Sequence, residues 1–213
     1  MAKCIIIAPL YAGEEAEWLR REPGDLLLCA DGGLRAARRA GMTPDLVIGD
    51  FDSMPEQEAA GCGKLVLPVH KDDTDMVVCL NEGRRLGYRE FRIAGALGGR
   101  LDHTIANLQC LTDCALRGEE AWLCDDRNRI TALPPGRYVF DAAMFAGAKL
   151  SLLAATERVR GVSLNGTEWE LEGAELTNRY PLGVSNEVHS EVTLSIGEGV
   201  LYLLRSSDAP SGR

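Results

Sequence analysis

The first 125 residues alternate between short apolar runs and longer amphipathic stretches. The apolar runs are rich in Ile, Val and Leu and have the length of buried strands. They cover residues 3–9, 25–30, 46–48, 64–67, 90–94 and 121–124. Stretches of helical character lie between most of them, at residues 14–21, 34–40, 74–86 and 104–117. Strands and helices in alternation predict an α/β fold, with a mostly parallel sheet flanked by helices.

The pattern changes after Pro134-Pro135-Gly136, where no further helix is predicted. Short segments of alternating polarity follow and are separated by glycines, prolines and Asn165-Gly166. These segments are residues 149–154, 158–163, 167–172, 191–196 and 199–205. Period-two strands with frequent turns are typical of a small β-sandwich. We therefore predict two domains, an α/β domain over residues 1–125 and an all-β sandwich domain over residues 137–208.

Composition and charge narrow the possible partners. The chain is 46% apolar and 26% charged, as in ordinary globular proteins. Its net charge of −9 argues against a nucleic-acid partner, because phosphate backbones are bound by clustered Lys and Arg. The apolar run at residues 4–10 is too short for a membrane helix and lacks the features of a signal peptide. The seven scattered cysteines contain no C-x-x-C pair, so we expect free thiols and a cytoplasmic protein without a membrane partner.

Acidic or glycine-rich loops follow the predicted strands. They are Asp31-Gly32-Gly33, Gly49–Ser53, Lys71–Asp75 and Leu97–His103. Since the carboxyl ends of parallel strands lie at one edge of a sheet, we expect these loops to meet in one crevice. The acids brought to that edge would be Asp31, Asp50, Asp52, Asp72, Asp73, Asp75 and Asp102.

So many carboxylates in one cleft require either raised pKa values or a bound cation. Hard oxygen ligands without a Cys or His pair favour Mg²⁺, which completes its shell with water and substrate phosphates. An extended backbone through Asp50-Phe51-Asp52 would place both carboxylates on one side. Some of the residues have simpler interpretations: Asp73, Thr74 or Asp102 as helix caps, and Asp31-Gly32-Gly33 as a tight turn.

Gly98-Gly99-Arg100 supplies features that complement this acidic cluster. Glycines allow backbone amides to approach phosphate oxygens, and the helix that follows offers its positive N-terminus. The Arg100 guanidinium is suited to a two-pronged contact with a phosphate and to neutralising charge in a transition state. Together with the acids, this segment predicts a magnesium-dependent nucleotide site.

The order and spacing of these segments resemble the successive motifs of thiamine pyrophosphokinases. The motifs are ADGG (30–33), PDLVIGDFDS (44–53), DDTD (72–75) and LGGRLDHTIANL (97–108). In the second half, GTEWEL (166–171) and GVSNE (183–187) are similar to the segments with which that family contacts thiamine. The resemblance spans nearly the whole chain.

The resemblance implies a homodimer in which thiamine lies between the first domain of one subunit and the second domain of the other. It implies that Mg²⁺ is held by Asp50, Asp52 and Asp75, and that Arg100 and Asp102 act on the phosphates and the reacting hydroxyl. The residues expected to bind ATP are Asp31, Gly32, Gly33, Asp73, Thr74, Gly98, Gly99, Arg100 and His103. Those expected to bind thiamine are Trp169, Ser185 and Asn186, with the Trp169 ring against the cationic thiazolium. From the residues alone, Trp169 also fits ordinary strand packing.

The implied reaction is attack of the thiamine hydroxyl on the β-phosphorus of ATP, with AMP leaving and no covalent enzyme intermediate. Either Asp102 or Asp75 accepts the hydroxyl proton in this scheme. One alternative is a magnesium-dependent pyrophosphotransferase that acts on a different small alcohol. Another is a non-catalytic nucleotide-binding regulator, although the acids at 50, 52, 75 and 102 and Arg100 are all present.

Overall fold

The structure, a computed structural model, describes residues 2–13, 18–30, 32–49, 51, 58, 60–67 and 73–208. The chain divides into two compact units. The first comprises Met1–Cys110 and Glu119–Asp126, and the second comprises Leu111–Gly118 and Arg127–Arg213. None of the helices in the described ranges has the length and apolarity needed to cross a membrane.

The first unit contains a parallel sheet. Its strands in the described part of the chain are β1 (Cys4–Ile7), β2 (Leu26–Ala30), β3 (Leu46–Gly49), β4 (Gly63–Val66), β5 (Glu90–Ala94) and β6 (Glu120–Cys124). They lie in the order β6-β5-β1-β2-β3-β4, and every neighbouring pair is parallel. Strands β1 and β2 are almost entirely buried, as expected for apolar runs at the centre of a sheet that is covered on both faces. The predicted α/β fold is confirmed.

Helices accompany this sheet. They are α1 (Gly33–Arg39), α2 (Asp75–Arg85) and α3 (Leu101–Leu116). The predictions over 34–40, 74–86 and 104–117 are confirmed to within a few residues. The predicted helix over 14–21 lies partly outside the described residues, and Trp18 and Leu19 form a turn. Helix α2 begins after Thr74, whose Oγ1 accepts a hydrogen bond from the Val77 N–H at 3.3 Å, so the capping interpretation of Thr74 is confirmed.

The strand order reverses between β1 and β5. From β1 the sheet grows in one direction through β4, and the chain then returns to place β5 on the other side of β1. Such a reversal opens a crevice at the carboxyl ends of the two strands. Gly95 lies there with φ +73°, and a Cβ at this position would be 2.2 Å from the Tyr11 nitrogen. Only glycine fits this close approach of two backbone segments.

Acids at the opposite, amino-terminal edge of the sheet have structural partners. The buried Asp25 carboxylate accepts hydrogen bonds from the backbone N–H groups of Lys3 (2.8 Å) and Glu22 (2.9 Å). Asp45 accepts one from the Leu27 N–H at 2.8 Å. These carboxylates satisfy backbone donors at the starts of strands, so they need no ligand to explain them.

The second unit contains two antiparallel sheets. Its strands are β7 (Asn128–Leu133), β8 (Gly136–Phe140), β9 (Lys149–Ala154), β10 (Arg158–Thr167), β11 (Leu171–Thr177), β12 (Gly183–Asn186), β13 (Val188–Ile196) and β14 (Leu201–Ser206). One sheet has the order β11-β10-β13-β8, and in the other β7, β14, β9 and β12 are neighbours in that order. A short 3-10 helix, Ala142–Phe145, precedes β9. The antiparallel β structure predicted for the C-terminal part of the chain is confirmed, and the second unit also contains the end of α3.

Parts of this unit differ from the sequence prediction. Strands β7, β8 and β12 are not predicted, and the predicted strand over 167–172 is wrong. Thr167 ends β10 and Leu171 begins β11, so the intervening residues form a turn. The pattern misleads because β10 contains register shifts, which disturb the alternation of buried and exposed positions along the strand.

Replacing Gly95 tests the close approach at the reversal. We expect Gly95→Ala to lower the free energy of unfolding by more than about 3 kcal/mol, because positive φ and a backbone clash combine. Gly41 is a matched control in the same unit, since its φ is +72° and no atom lies within 4 Å of an added Cβ. Gly41→Ala should cost only about 1–2 kcal/mol. If urea denaturation showed equal losses of unfolding free energy for the two variants, the role assigned to Gly95 would be contradicted.

Candidate active site

A hollow of about 320 Å³ lies at the carboxyl ends of the parallel strands. Residues from the ends of β1, β2 and β5 form its floor, and the N-terminal turns of α2 and α3 form its walls. The lining residues are Ala8, Pro9, Leu10, Ala30, Thr74, Asp75, Met76, Gly95, Ala96, Gly98, Gly99, Arg100, His103, Ala106 and Asn107. We call it the sheet-edge hollow.

The structure brings some of the predicted site residues together here and leaves others apart. Those that line the sheet-edge hollow are Thr74, Asp75, Gly98, Gly99, Arg100 and His103. Asp31, Asp50, Asp52 and Asp72 lie outside the described residues. Gly32, Gly33, Asp73 and Asp102 are described but are not among the lining residues. Within the described ranges, no three acidic, His or Cys residues come together as a metal-binding group.

Gly33 has a packing role in the structure. It is the first residue of α1, and a Cβ there would lie 2.1 Å from the Ile7 carbonyl oxygen. The helix therefore crosses β1 too closely for any larger residue. This contact accounts for the second glycine of the ADGG motif without a ligand.

The N-terminus of α2 combines two features of a phosphate and cation site. Thr74 caps the helix, and Asp75 follows it in the first turn. The helix packs on β2 and β3, so Asp75 lies near the edge where β3 ends and Asp50 follows in sequence. The helix dipole favours an anion at this end, while the Asp75 carboxylate offers hard oxygen donors to a cation.

Arg100 and Asp102 form an exposed, two-pronged ion pair. The Arg100 Nε donates to Asp102 Oδ1 at 3.1 Å and the Nη2 donates to Oδ2 at 2.5 Å. The hydrogen bonds from Arg100 and from the His103 backbone N–H, at 3.0 Å, lower the pKa of Asp102 to about 2. A carboxylate with so low a pKa is a weak base, so in this arrangement Asp102 is poorly suited to accept a hydroxyl proton.

Phe51, between the two acids of the GDFDS motif, has φ +56°. The extended backbone expected through Asp50-Phe51-Asp52 is therefore wrong at its central residue. Its half-buried side chain packs against the core cluster of the first unit, which accounts for the position of its ring. A left-handed conformation at a bulky residue costs about 1–3 kcal/mol and is found most often at functional sites.

Sequence reasoning missed two polar residues of α3 beside this hollow. Asn107 Nδ2 donates to the Ala96 carbonyl at 2.7 Å, and Thr104 Oγ1 is hydrogen-bonded to Gly98. The i, i+3 spacing of the two residues within LGGRLDHTIANL is the signal that points to a shared helix face.

A second hollow, of about 390 Å³, lies within the second unit. Its lining is mostly aliphatic, with one aromatic ring and one amide: Leu150, Leu152, Leu164, Trp169, Leu171, Leu182, Gly183, Val184 and Asn186. We call it the β-unit hollow. Of the predicted thiamine residues, Trp169 and Asn186 line it, whereas Ser185 is exposed and is not among its lining residues.

The Asn186 amide holds the turn that carries Trp169. Its Oδ1 accepts from the Trp169 N–H at 3.0 Å, and its Nδ2 donates to the Trp169 carbonyl at 2.7 Å and to Thr167 Oγ1 at 3.2 Å. Asn186 is 7% exposed, whereas Trp169 is 62% exposed. The interpretation of Trp169 as a packed strand residue is wrong, because the residue lies in a turn and presents its side chain to solvent.

Ser185 resembles Phe51 in its backbone. Its φ is +64°, and among the described residues these two are the non-glycine positions with positive φ. The Ser185 N–H donates to Ser151 Oγ at 3.0 Å. Both unusual positions fall in segments that the sequence singled out for function.

Two family models match the chain. "Thiamin pyrophosphokinase, catalytic domain" matches residues 21–123, and "Thiamin pyrophosphokinase, vitamin B1 binding domain" matches residues 140–201. The thiamine pyrophosphokinase of Bacillus subtilis (strain 168) is 30% identical over 205 residues, which cover 93% of this chain and 91% of that protein. The chain belongs to the thiamin pyrophosphokinase family.

Solved structures of the family show the same fold. The thiamine pyrophosphokinase structure from Bacillus subtilis superposes with a TM-score of 0.87 at 29% identity, covering 97% of this chain and 100% of that one. The structure from Geobacillus thermodenitrificans gives a TM-score of 0.82 at 29% identity, covering 98% and 99%. The two family models cover different parts of the chain, and each contains most of the residues that line one of the hollows.

The Arg100–Asp102 ion pair leads to a prediction about the pKa of Asp102. In Arg100→Gln the two-pronged contact is lost, so we expect the pKa of Asp102 to rise from about 2 toward its usual value of 3.8. The hydrogen bond from the His103 N–H remains and should keep the rise incomplete. Carbon-detected NMR titration of the side-chain carboxyl measures this shift. An unchanged pKa in the variant would mean that Arg100 does not hold the carboxylate in solution.

The Asn186 contacts predict a loss of stability. We expect Asn186→Ala to lower the free energy of unfolding by about 2–3 kcal/mol, because several hydrogen bonds at a buried amide are lost together. Asn165 is a matched control in the same unit: it is exposed, and its Nδ2 makes a single long contact of 3.4 Å with Thr193. Asn165→Ala should change stability by less than about 0.5 kcal/mol. If the two variants lost similar amounts of unfolding free energy in denaturant titrations, the stabilising role of the Asn186 hydrogen bonds would be contradicted.

Proposed function

We propose that this chain is a thiamine pyrophosphokinase, which transfers the pyrophosphoryl group of ATP to the hydroxyl of thiamine and releases thiamine diphosphate and AMP. The observation that carries the proposal is the sheet-edge hollow, in which a capped helix N-terminus, a Gly-Gly-Arg segment and an acid meet. Family membership and the mostly apolar β-unit hollow support thiamine as the acceptor.

The sheet-edge hollow suits the phosphates of ATP. Arg100 keeps its positive charge, and the N-terminus of α2 adds amide donors and a favourable dipole. A neighbouring hollow of about 140 Å³ shares Leu10 and Gly95 with it, which extends the space available to a nucleotide. Phosphoryl transfer depends mainly on such positioning and on neutralising phosphate charge.

Mg²⁺ fits the donors that the chain offers. Asp75 lines the sheet-edge hollow, and Asp50 and Asp52 follow β3, on which α2 packs. These three carboxylates would hold the ion, as hard oxygen ligands do in phosphate-binding sites. When bound, Mg²⁺ would offset the charge of the transferred phosphates.

The chain's own residues carry distinct tasks in this proposal. Arg100 binds the transferred pyrophosphoryl group, and Asp102 orients the guanidinium through its two-pronged contact. Because its pKa is lowered to about 2, Asp102 is a poorer proton acceptor than an ordinary carboxylate. This lowered basicity argues against Asp102 as the acceptor of the proton from the thiamine hydroxyl.

Thiamine binds in this proposal against the Trp169 ring, whose face attracts the cationic thiazolium. Asn186 holds the backbone of Trp169, so its contribution is indirect. We also propose a cytoplasmic homodimer in which residues 1–125 of one subunit and residues 137–208 of the other enclose thiamine. Large exposed apolar side chains in the second unit support a partner surface: Trp169, Tyr180, Leu182 and Val184.

The direct test is incubation with ATP, Mg²⁺ and thiamine, followed by chromatography for thiamine diphosphate and AMP. We expect equimolar formation of both, and no comparable AMP release when small alcohols replace thiamine. AMP release with another alcohol only would assign a different acceptor. Nucleotide binding without any AMP formation would favour the non-catalytic alternative.

The acids are tested by isosteric variants. We expect Asp52→Asn and Asp75→Asn each to lower kcat by at least about a hundredfold, because a ligand to the ion and its charge are lost. Asp113→Asn is the control, since that acid pairs with Arg117 on an exposed face of α3. Near-full activity of Asp52→Asn, with its fold intact by circular dichroism, would refute the metal assignment.

A further inference from the structure

The segment between β5 and α3 is built largely from glycines in unusual conformations. Gly95, Gly98 and Gly99 have φ values of +73°, +84° and +62°. Glycine enters such conformations readily but loses the most conformational freedom when it is fixed there. A segment of this kind keeps one shape only where other groups hold it, and it carries Arg100 at its end.

Thr104 holds this segment at Gly98. Its Oγ1 accepts a hydrogen bond from the Gly98 N–H at 3.1 Å and donates one to the Gly98 carbonyl at 3.1 Å. One hydroxyl therefore satisfies both backbone groups of a single glycine. The Gly98 N–H is therefore engaged by the protein, and the segment continues through Gly99 to Arg100, both of which line the sheet-edge hollow.

Asn107 holds the same segment one residue earlier. Its Nδ2 donates to the Ala96 carbonyl at 2.7 Å, and the residue is 8% exposed. Thr104 and Asn107 are three residues apart on α3 and therefore lie on one face of the helix. The two side chains together attach residues 96–98 to a rigid element that also carries His103.

We propose that Thr104 and Asn107 are positioning residues that fix the glycine segment for binding the β- and γ-phosphates of ATP. Thr104 does not line the sheet-edge hollow, so it acts through the backbone of Gly98 and through the position of Arg100. The proposal rests on the proposed function for the identity of the ligand. The new element is the identity of the residues that hold the glycine segment in place before the nucleotide binds.

The test compares Thr104→Val, which removes the hydroxyl at nearly constant shape, with Thr104→Ser, which retains it. The probes are α,β-methylene ATP and AMP, and binding is measured by calorimetry with Mg²⁺ and without thiamine. We expect Thr104→Val to weaken binding of the ATP analogue about tenfold, while AMP, which lacks the two phosphates, binds as it does to the wild type. Thr104→Ser should restore the analogue's affinity.

Thr112→Val is the matched control. Thr112 lies on the same helix, and its hydroxyl is hydrogen-bonded to the Tyr202 hydroxyl at 2.7 Å. The control removes a threonine hydroxyl from the same helix and should leave the affinity for both nucleotides unchanged. In turnover assays, Thr104→Val should raise KM for ATP about tenfold and leave KM for thiamine unaltered.

Two results would overturn the proposal: equal weakening of AMP and of the ATP analogue, or failure of Thr104→Ser to restore binding. If Thr104→Val does not fold, Asn107→Ala replaces it in the same comparison. The calorimetric comparison does not require the protein to catalyse the reaction. A wild-type protein that binds the analogue but forms no thiamine diphosphate would refute the proposed function, while the binding comparison would still decide the role of Thr104.

Discussion

A reversal of strand order between β1 and β5 determines where a ligand can bind to the first unit. Because the order of the strands reverses there, a crevice opens at the carboxyl ends of the two strands. Gly95 permits the two backbone segments to approach there, and the Gly98–Arg100 segment and the N-terminus of α2 meet above it. The features proposed to bind phosphate therefore follow from the order of the strands.

Acidic residues have different surroundings at the two edges of the sheet. At the amino-terminal edge, Asp25 and Asp45 are held by backbone N–H groups and stabilise the starts of strands. At the carboxyl edge, Asp75 stands at a helix N-terminus and lines a hollow. A count of acids in the sequence cannot distinguish the two situations. Their position relative to strand direction can, and this is why the loops that follow strands were informative.

Much of the first unit could be predicted from the sequence because apolar runs and amphipathic stretches alternate clearly. The second unit was harder, since register shifts in β10 and the short strand β12 disturb the period of two. Within the site, the sequence pointed to six of the residues that line the sheet-edge hollow, but not to the side chains that act on other residues. Asn186 forms hydrogen bonds with the backbone of Trp169, and Asp102 accepts hydrogen bonds from Arg100. The positive φ values of Phe51 and Ser185 leave no trace in residue type and could only come from a structure.

The central claim is that the metal–nucleotide site lies at the reversal of the sheet. A crystal structure with Mg²⁺ and a non-hydrolysable ATP analogue tests it most directly. The account predicts the ion among Asp50, Asp52 and Asp75, with the terminal phosphates against Arg100 and the N-terminus of α2. A nucleotide bound elsewhere on the chain, or an ion held without any of these three carboxylates, would contradict it.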